Sequence, residues 1–391
     1  METCTNHKKK SLLLLANYAN DEGYAWDNIF RLYNCIADSF IEKGFNICVS
    51  FSKINHPISV FDSGILYDYF LFNPIKISVK SLFNLYQNIK SHNVRYVYFT
   101  DLKPIQWLFP LLRLWGVRKI IVHCRVSVPS PYPVKPEIGA RKALKTAINR
   151  KRFFTADAVY AVSDFVKNRL VKKHCFPDER IHKILNGIDI QKFNCKELPL
   201  NRPIVSIFSC SRASKHKGTH ILIEAVHLVK TKYGLNDFLV EFAGNGPDLN
   251  EFKSMVKTYE LSNHFKFLGK LNDTKVKTCS ADIIVVPSIW GDACPSTVME
   301  ALAAGKALIT TTAGGIPEIV GDPQNAVLLP PHNADSLARA LAEQILSGEK
   351  RQLLGIRARQ RAENALKEVT YHDAVIRQLQ SDILIEPSPA D

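Results

Sequence analysis

Two acidic residues and a pair of glycines lie within the segment from residue 282 to residue 318. Asp292 and Glu300 are eight positions apart, the first in an expected loop and the second on the helix expected to follow it. A carboxylate accepts two hydrogen bonds side by side, so each can hold a pair of sugar hydroxyl groups. Gly314 and Gly315 let the backbone approach a ligand, and a helix that follows them offers free N–H groups to an anion. Taken singly, these residues are more typical of an ordinary loop acid, an exposed helix acid and turn glycines than of a ligand site.

Two cations five positions apart, Arg212 and Lys217, follow the strand expected at 204–208. Arginine presents a planar fork and lysine a compact charge, and both suit the oxygens of a diphosphate. Cations already in place stabilise the negative charge that grows on a departing diphosphate. The pair therefore predicts a diphosphate site in a strand-to-helix loop, with solvated loop charges as the alternative.

The elements that must position these residues follow from hydrophobic periodicity. Apolar runs of strand length alternate with helical stretches, which predicts βαβ units on parallel sheets. The expected strands are 12–16, 45–51, 94–99, 119–123 and 158–162 in the first half, and 204–208, 238–244, 265–269, 283–286, 307–311 and 327–329 in the second. Ligands bind at the carboxyl ends of the strands in such sheets, which is where the charged residues lie.

The helix and domain boundaries are marked by other local signals. Ser296 is expected to cap the helix that carries Glu300, and Gly305 to end it. Periodicity lapses and prolines appear between residues 190 and 202, which predicts the linker between two Rossmann-like domains. The expected division is a first domain at 1–193, a second at 194–364 and a helical tail at 365–391.

The pattern as a whole resembles the signature of glycosyltransferase family 4, retaining enzymes of the GT-B fold. The family motif is an acidic residue, seven others and Glu, followed by Ala-Met/Leu-Ala-x-Gly and Gly-Gly-x-x-Glu. This chain has Asp292 and Glu300, then Ala301-Leu302-Ala303-Ala304-Gly305 and Gly314-Gly315-Ile316-Pro317-Glu318. Arg212 to Gly218 resembles the family's Arg-x4-Lys-Gly motif, whose basic residues hold the donor's diphosphate. The resemblance is strong from 204 to 354 and weak in the first half. It implies two domains facing each other across a cleft, with a last helix that crosses back to the first domain.

The resemblance also implies a set of site residues. The catalytic set is Arg212, Lys217, Asp292, Glu300 and His123, where His123 lies near the transferred sugar or the acceptor, or is a structural histidine. Further donor contacts fall on Gly244, Phe267, Leu268, Ala293, Cys294, Pro295, Ser296 and Thr297. On the acceptor side, Gly23 is a candidate for close approach, and Tyr24 and Trp26 for sugar stacking, with core aromatics as the alternative.

One departure from the family pattern concerns the donor sugar. Where the family usually has Glu-Gly-Phe-Gly, this chain has Asp292-Ala293-Cys294-Pro295. The shorter acid and the missing N–H of Pro295 change how the sugar hydroxyls can be held, so the identity of the sugar is open.

Composition limits the class of protein and the cellular compartment in which it is expected. A chain of 391 residues suits two domains, and no apolar run approaches the roughly 20 residues that span a bilayer. Nine cysteines without metal-ligand spacing predict free thiols in a reducing cytosol and no metal site. The net charge of +14 is concentrated in the first half, notably at 135–152. This stretch indicates attraction to anionic lipid rather than nucleic acid, because it lacks interleaved aromatic residues, and a solvated helix face is the alternative.

These features together predict a cytoplasmic, metal-independent retaining glycosyltransferase without a cofactor. Its substrates are expected to be a UDP- or GDP-type sugar nucleotide and a hydroxyl of a glycan or lipid-linked acceptor, in bacterial surface polysaccharide or lipopolysaccharide synthesis. It is expected to bind peripherally to the inner face of the cytoplasmic membrane, with no nucleic acid and no protein partner. The alternatives are a catalytically silent GT-B protein docking on membrane or nucleic acid, and a GT-B sugar-nucleotide epimerase.

Overall fold

A computed structural model describes residues 9–18, 25–53, 68–125, 135–195 and 203–385. Its first half is a seven-stranded parallel sheet with the order β3-β2-β1-β4-β5-β6-β7. The strands are β1 (Ser11–Ala16), β2 (Asn46–Phe51), β3 (Asp68–Leu71), β4 (Val94–Thr100), β5 (Lys119–Cys124), β6 (Ala158–Ala161) and β7 (Ile181–Lys183). The helices are α1 (Ala25–Ile41), α2 (Val79–Ser91), α3 (Leu108–Leu114), α4 (Gly139–Arg150) and α5 (Asp164–His174).

The second half is a six-stranded parallel sheet with the order β10-β9-β8-β11-β12-β13. Its strands are β8 (Val205–Cys210), β9 (Phe238–Ala243), β10 (Phe265–Gly269), β11 (Ile283–Val286), β12 (Ala307–Thr311) and β13 (Val327–Leu329). Its helices are α6 (Thr219–Thr231), α7 (Leu249–Thr258), α8 (Lys275–Ser280), α9 (Ser296–Ala303), α10 (Ile316–Val320), α11 (Ala334–Leu346) and α12 (Gly348–Ala365). Among the described residues, no helix is both long and apolar enough to cross a membrane.

The last helix, α13 (Glu368–Leu384), returns to the first half of the chain. Tyr371, Val375, Leu379 and Ile383 on one face of α13 join the buried core formed by α1 and the first sheet. Conversely, Ile188, Ile190 and Phe193 pack into the core of the second sheet, although the predicted first domain extends to residue 193. The two parallel sheets with their helices and the crossing last helix confirm the predicted α/β GT-B architecture.

Most predicted strands are present, and the last four have the predicted bounds. The prediction omitted β3 and β7. Strand β3 lies at the sheet edge with Tyr69 and Leu71 exposed, and β7 has three residues, so neither produces a buried apolar run. Gly305 ends α9 as expected, with a φ of +62°. Ser296 does not cap α9: Pro295 takes the cap position, and the Ser296 side chain hydrogen-bonds to Glu300 instead.

The expectation of free thiols throughout is wrong for two cysteines. Cys195 and Cys279 form a disulfide between the segment after Phe193 and helix α8, across 84 positions of sequence. Six other described cysteines are free thiols. The pairing depends on tertiary proximity, which the scattered spacing of the cysteines does not reveal. It also removes the support that the cysteines gave to a reducing compartment.

Candidate active site

The two predicted cations lie in the loop that joins β8 to α6. Arg212 follows the end of β8, and Lys217 ends a 3₁₀ turn at Lys215–Lys217. Gly218 then begins α6 with a φ of +76°, and a Cβ at this position would collide with the carbonyl oxygen of Pro287. Only glycine fits such a left-handed, tightly packed position, so this loop lies against the end of β11.

A cavity of about 130 Å³ opens between this loop and the loop that follows β11. Eight of the residues that line it carry hydroxyl or charged side chains suited to a nucleotide sugar: Ser209, Ser211, Arg212, Lys217, Ser288, Asp292, Ser296 and Thr297. Five of these eight were predicted as site residues, and the fold brings them together. Ser209, Ser211 and Ser288 were missed, although all three lie at or just after the carboxyl end of a strand, which was a usable signal.

The cavity contains an ion pair between Lys217 and Asp292. Asp292 Oδ2 also accepts a hydrogen bond from Ser288 Oγ at 3.4 Å. The Lys217 and Asp292 side chains are 25% and 17% exposed, so the pair is partly shielded from water. Arg212 is exposed, and no described residue pairs with its guanidinium group. The loop after β8 is thus linked to the loop after β11.

Glu300 lies deeper than the sequence predicted. It is 2% exposed on α9, where Glu300 Oε2 accepts a hydrogen bond from Thr274 Oγ1 at 2.8 Å. Burial raises the pKa of this carboxyl group above its ordinary value, while the hydrogen bonds from Thr274 and Ser296 act against that shift. Glu300 can therefore accept from a ligand only with the lone pairs that these hydroxyl groups leave open.

The glycine pair after β12 packs against the loop between β11 and α9, which carries Asp292. These glycines therefore do not leave bare backbone open to a ligand. Side chains at Gly314 and Gly315 would collide with the backbone of Asp292 and Ala293. Gly315 N donates to Asp292 O at 2.8 Å, which fixes the position of the acidic residue.

Glu318 connects the second sheet domain to the first. Its carboxylate accepts from Asp164 N at 2.8 Å and from Phe165 N at 3.2 Å, at the amino end of α5. Lys183 Nζ lies 3.6 Å from the same carboxylate. A carboxylate is well placed at a helix amino terminus, which carries free N–H groups and partial positive charge. Glu318 is therefore an interdomain cap in this conformation.

His123 is in β5 as predicted, but its side chain does not reach the cleft. It is fully buried, hydrogen-bonded through Nδ1 to the Tyr98 hydroxyl, and packed against Tyr160 and Tyr371. Burial, with a smaller effect of the Arg125 charge, holds its pKa well below the ordinary value. The lowered pKa favours a neutral imidazole ring, and its Nε2 atom is buried without a hydrogen-bond partner among the described residues.

Of the other predicted donor residues, Pro295 lines the cavity, whereas Gly244, Phe267, Leu268, Ala293 and Cys294 do not. Gly244 follows β9, and a Cβ there would collide with the carbonyl oxygen of Ser211, so it packs against the loop between β8 and α6. Phe267 and Leu268 lie on β10, where Phe267 packs on Phe242 with ring centroids 5.9 Å apart. Ala293 is 2% exposed and packs into the core of the first domain. Gly23, Tyr24 and the side chain of Trp26 lie outside the described residues.

Two parallel-sheet domains, with cations and carboxylates at the carboxyl edge of the second sheet, define the GT-B fold. Two family models match adjacent parts of the chain. The model "Glycosyltransferase Family 4" matches residues 41–192, and "Glycosyl transferases group 1" matches residues 192–361. The chain belongs to glycosyltransferase family 4.

Among similar curated proteins is WcaL of Escherichia coli K12, a glycosyltransferase named for colanic acid biosynthesis. It is 29% identical over 215 residues, which are 53% of this chain and 52% of WcaL. The chain thus spans about half the length of the curated relatives it matches.

Solved structures match over nearly the whole fold. A glycosyltransferase from Rickettsia africae has a TM-score of 0.75 at 20% identity, covering 96% of this chain and 100% of its own. HepE of Anabaena, solved with UDP and glucose, has a TM-score of 0.71 at 19% identity, covering 95% and 100%.

Proposed function

We propose that this protein transfers a hexosyl group from a UDP- or GDP-type sugar nucleotide to a hydroxyl of a glycan or lipid-linked acceptor. The observation that carries the proposal is the single small cavity that Arg212, Lys217, Asp292 and Ser296 share. Cations that suit a diphosphate and acceptors that suit sugar hydroxyl groups line this one cavity together. The name of WcaL supports a role in bacterial surface polysaccharide synthesis.

In the proposed mechanism, Arg212 and Lys217 stabilise the charge that grows on the departing diphosphate. Their charges replace that of a divalent cation, so EDTA should leave the turnover number unchanged. The acceptor attacks the face that the diphosphate leaves, and a phosphate oxygen takes the acceptor's proton, so the anomeric configuration is retained. The mechanism needs no protein nucleophile. Closure of the two domains excludes water and limits hydrolysis of the donor.

The experiment is a thermal-shift titration with UDP, GDP, ADP and their common sugar conjugates. Ligand at about 100 times its dissociation constant should add roughly 2.7 kcal/mol of stability. Arg212→Ala and Lys217→Ala should lose this shift and lower turnover by about 10²–10³, whereas Lys253→Ala on the exposed side of α7 should retain both. Absence of a shift with every nucleotide would instead favour a catalytically silent protein. Product formation from the sugar nucleotide without an acceptor would favour an epimerase.

We further propose that the first domain binds the surface of anionic membranes through α4 and the segment after it. Ile138, Leu144, Ile148, Phe153 and Phe154 are all exposed there. They lie among the basic residues of 135–152, and one of these, Lys145, is paired with Glu137. Apolar side chains that enter the headgroup region, together with lysines and arginines near anionic lipid, are typical of an interfacial helix.

Sedimentation with vesicles tests this membrane contact. The protein should bind vesicles rich in phosphatidylglycerol more strongly than neutral ones, and salt should weaken that binding. Leu144→Ser should reduce it severalfold. The control, Leu346→Ser, changes a comparably exposed leucine, 71% against 63%, on the second domain and should leave binding unchanged. Equal loss in both variants, or binding that ignores lipid charge, would contradict the proposal.

A further inference from the structure

Arg125 is a charged residue of the first domain that lies outside the predicted site. It directly follows β5, at the carboxyl edge of the first sheet, where ligands of doubly wound sheets bind. Its backbone N donates to Asp101 Oδ1 at 2.6 Å, and Asp101 Oδ2 accepts from the Tyr18 hydroxyl at 2.6 Å. These contacts fix the backbone of Arg125. Both carboxylate oxygens of Asp101 accept from groups other than the guanidinium group of Arg125.

One guanidinium nitrogen of Arg125 is buried without a hydrogen-bond partner among the described residues. Its Nη1 atom is inaccessible to solvent and hydrogen-bonds to nothing in the described part of the chain. The Tyr371 hydroxyl, on which the charge of Arg125 acts, is likewise buried and has no hydrogen-bond partner among the described residues. The same charge acts on the thiol of Cys294 in the loop between β11 and α9, the proposed donor loop. Arg125 therefore lies where the first domain, the crossing helix and the donor loop meet.

A buried hydrogen-bond donor without a partner is costly to a folded protein. Burial lowers the pKa of Arg125, but Tyr371 and the carboxylate of Asp101 act against this and leave the pKa above its ordinary value. The charge is thus partly compensated, while Nη1 still lacks an acceptor in the part of the chain that the structure describes. Perturbed ionisable groups are concentrated at functional sites, where a bound ligand can supply the missing acceptor. Arginine is the side chain best suited to a carboxylate or phosphate, because its fork matches two oxygens.

We infer that Arg125 binds a carboxylate or phosphate group carried by one of the two glycosyl substrates. The inference rests on the proposed function and narrows it, since it makes one substrate an acidic sugar or a sugar phosphate. Arg125 is on the acceptor side of the cleft but acts on the donor loop, so either substrate can carry the acid.

The first experiment separates this subsite from the diphosphate site. The protein is saturated with the nucleotide that binds it, which occupies Arg212 and Lys217, and is then titrated with glucuronic acid, glucose 6-phosphate or glucose. An acidic sugar should bind roughly tenfold to a hundredfold more tightly than glucose, as expected for a hydrogen bond to a charged group. Arg125→Gln should abolish the difference, while Arg377→Gln, on the exposed side of α13, should keep it. Failure of the nucleotide itself to bind would instead contradict the proposed function.

A second arm identifies which substrate carries the acid. Without added nucleotide, the affinities for UDP-glucuronic acid and UDP-glucose are compared, or for the corresponding pair on the base that binds. If the protein prefers the uronate and Arg125→Gln removes this preference, the donor carries the acid. If the preference appears only in the first experiment, the acceptor carries it. Equal affinities in both arms would overturn the inference.

A stability measurement distinguishes a binding role from a structural one. Because Arg125→Gln removes a buried donor that has no acceptor among the described residues, the variant should melt at the same or a higher temperature than the wild type without ligand. A fall of several degrees would indicate a structural partner for Arg125 and would also overturn the inference.

Discussion

The ion pair between Lys217 and Asp292 predicts opposite effects of one substitution on nucleotide binding and on sugar transfer. Asp292→Asn removes a negative charge from the cavity and frees Lys217 for the diphosphate, so UDP or GDP should bind more tightly. The amide accepts sugar hydroxyls less well than the carboxylate does, so turnover of the sugar nucleotide should fall.

The size of the first effect follows from the geometry. Two unit charges in contact near a protein surface interact by about 4 kcal/mol at an effective dielectric constant of about 20. The two side chains are 25% and 17% exposed, so water and salt screen part of this interaction. We therefore expect a gain of about 1–2 kcal/mol in nucleotide binding, which is a factor of about 5–30. Turnover should fall by at least an order of magnitude.

Calorimetric titration with the nucleoside diphosphate measures the gain, and a coupled release assay measures turnover. The matched control is Asp248→Asn, which removes a carboxylate that accepts from Lys215 N at 2.7 Å in the same loop but does not line the cavity. The reasoning would be refuted if Asp292→Asn weakened the diphosphate as much as the sugar nucleotide. Asp292 would then be a structural anchor of the loop.

Three further predictions follow from particular contacts. Glu318→Ala removes the interdomain cap on α5 but leaves the cap that Ser163 provides. The variant should lose about 1 kcal/mol of unfolding free energy and have a lower turnover number, with nucleotide affinity unchanged. An unchanged turnover number would refute a role in domain closure. Because burial raises the pKa of Glu300, sugar-nucleotide affinity should fall with decreasing pH at a higher pH than an ordinary carboxyl group would give. In Glu300→Gln, the affinity should no longer fall as the pH decreases through this range. A fall that persists in the variant would show that another group titrates there. Replacing Cys195 and Cys279 by serine should lower the free energy of unfolding by about 2–4 kcal/mol, and a reductant should lower the melting temperature of the wild type but not of the double variant.

The sequence determined the parts of this protein that depend on local pattern. The strands β10 to β13 have their predicted bounds because each is a short apolar run closed by turn residues. Arg212 and Lys217 were recognised because both lie in one loop after one strand. Asp292 and Glu300 were recognised because a single loop and helix carry them. These spacings also identified the family, since its motifs are contiguous stretches of chain.

Tertiary structure decided every feature that joins distant stretches of chain. Lys217 and Asp292 pair across 75 positions, and Glu318 caps a helix 154 positions earlier. The sequence placed His123 at the cleft, but in a buried strand the direction of a side chain depends on the packing of both sheet faces, and His123 faces the core. The neighbouring Arg125 became notable only when its surroundings were known. Whether a charged side chain has a partner depends on distances between segments, which no spacing within the sequence contains.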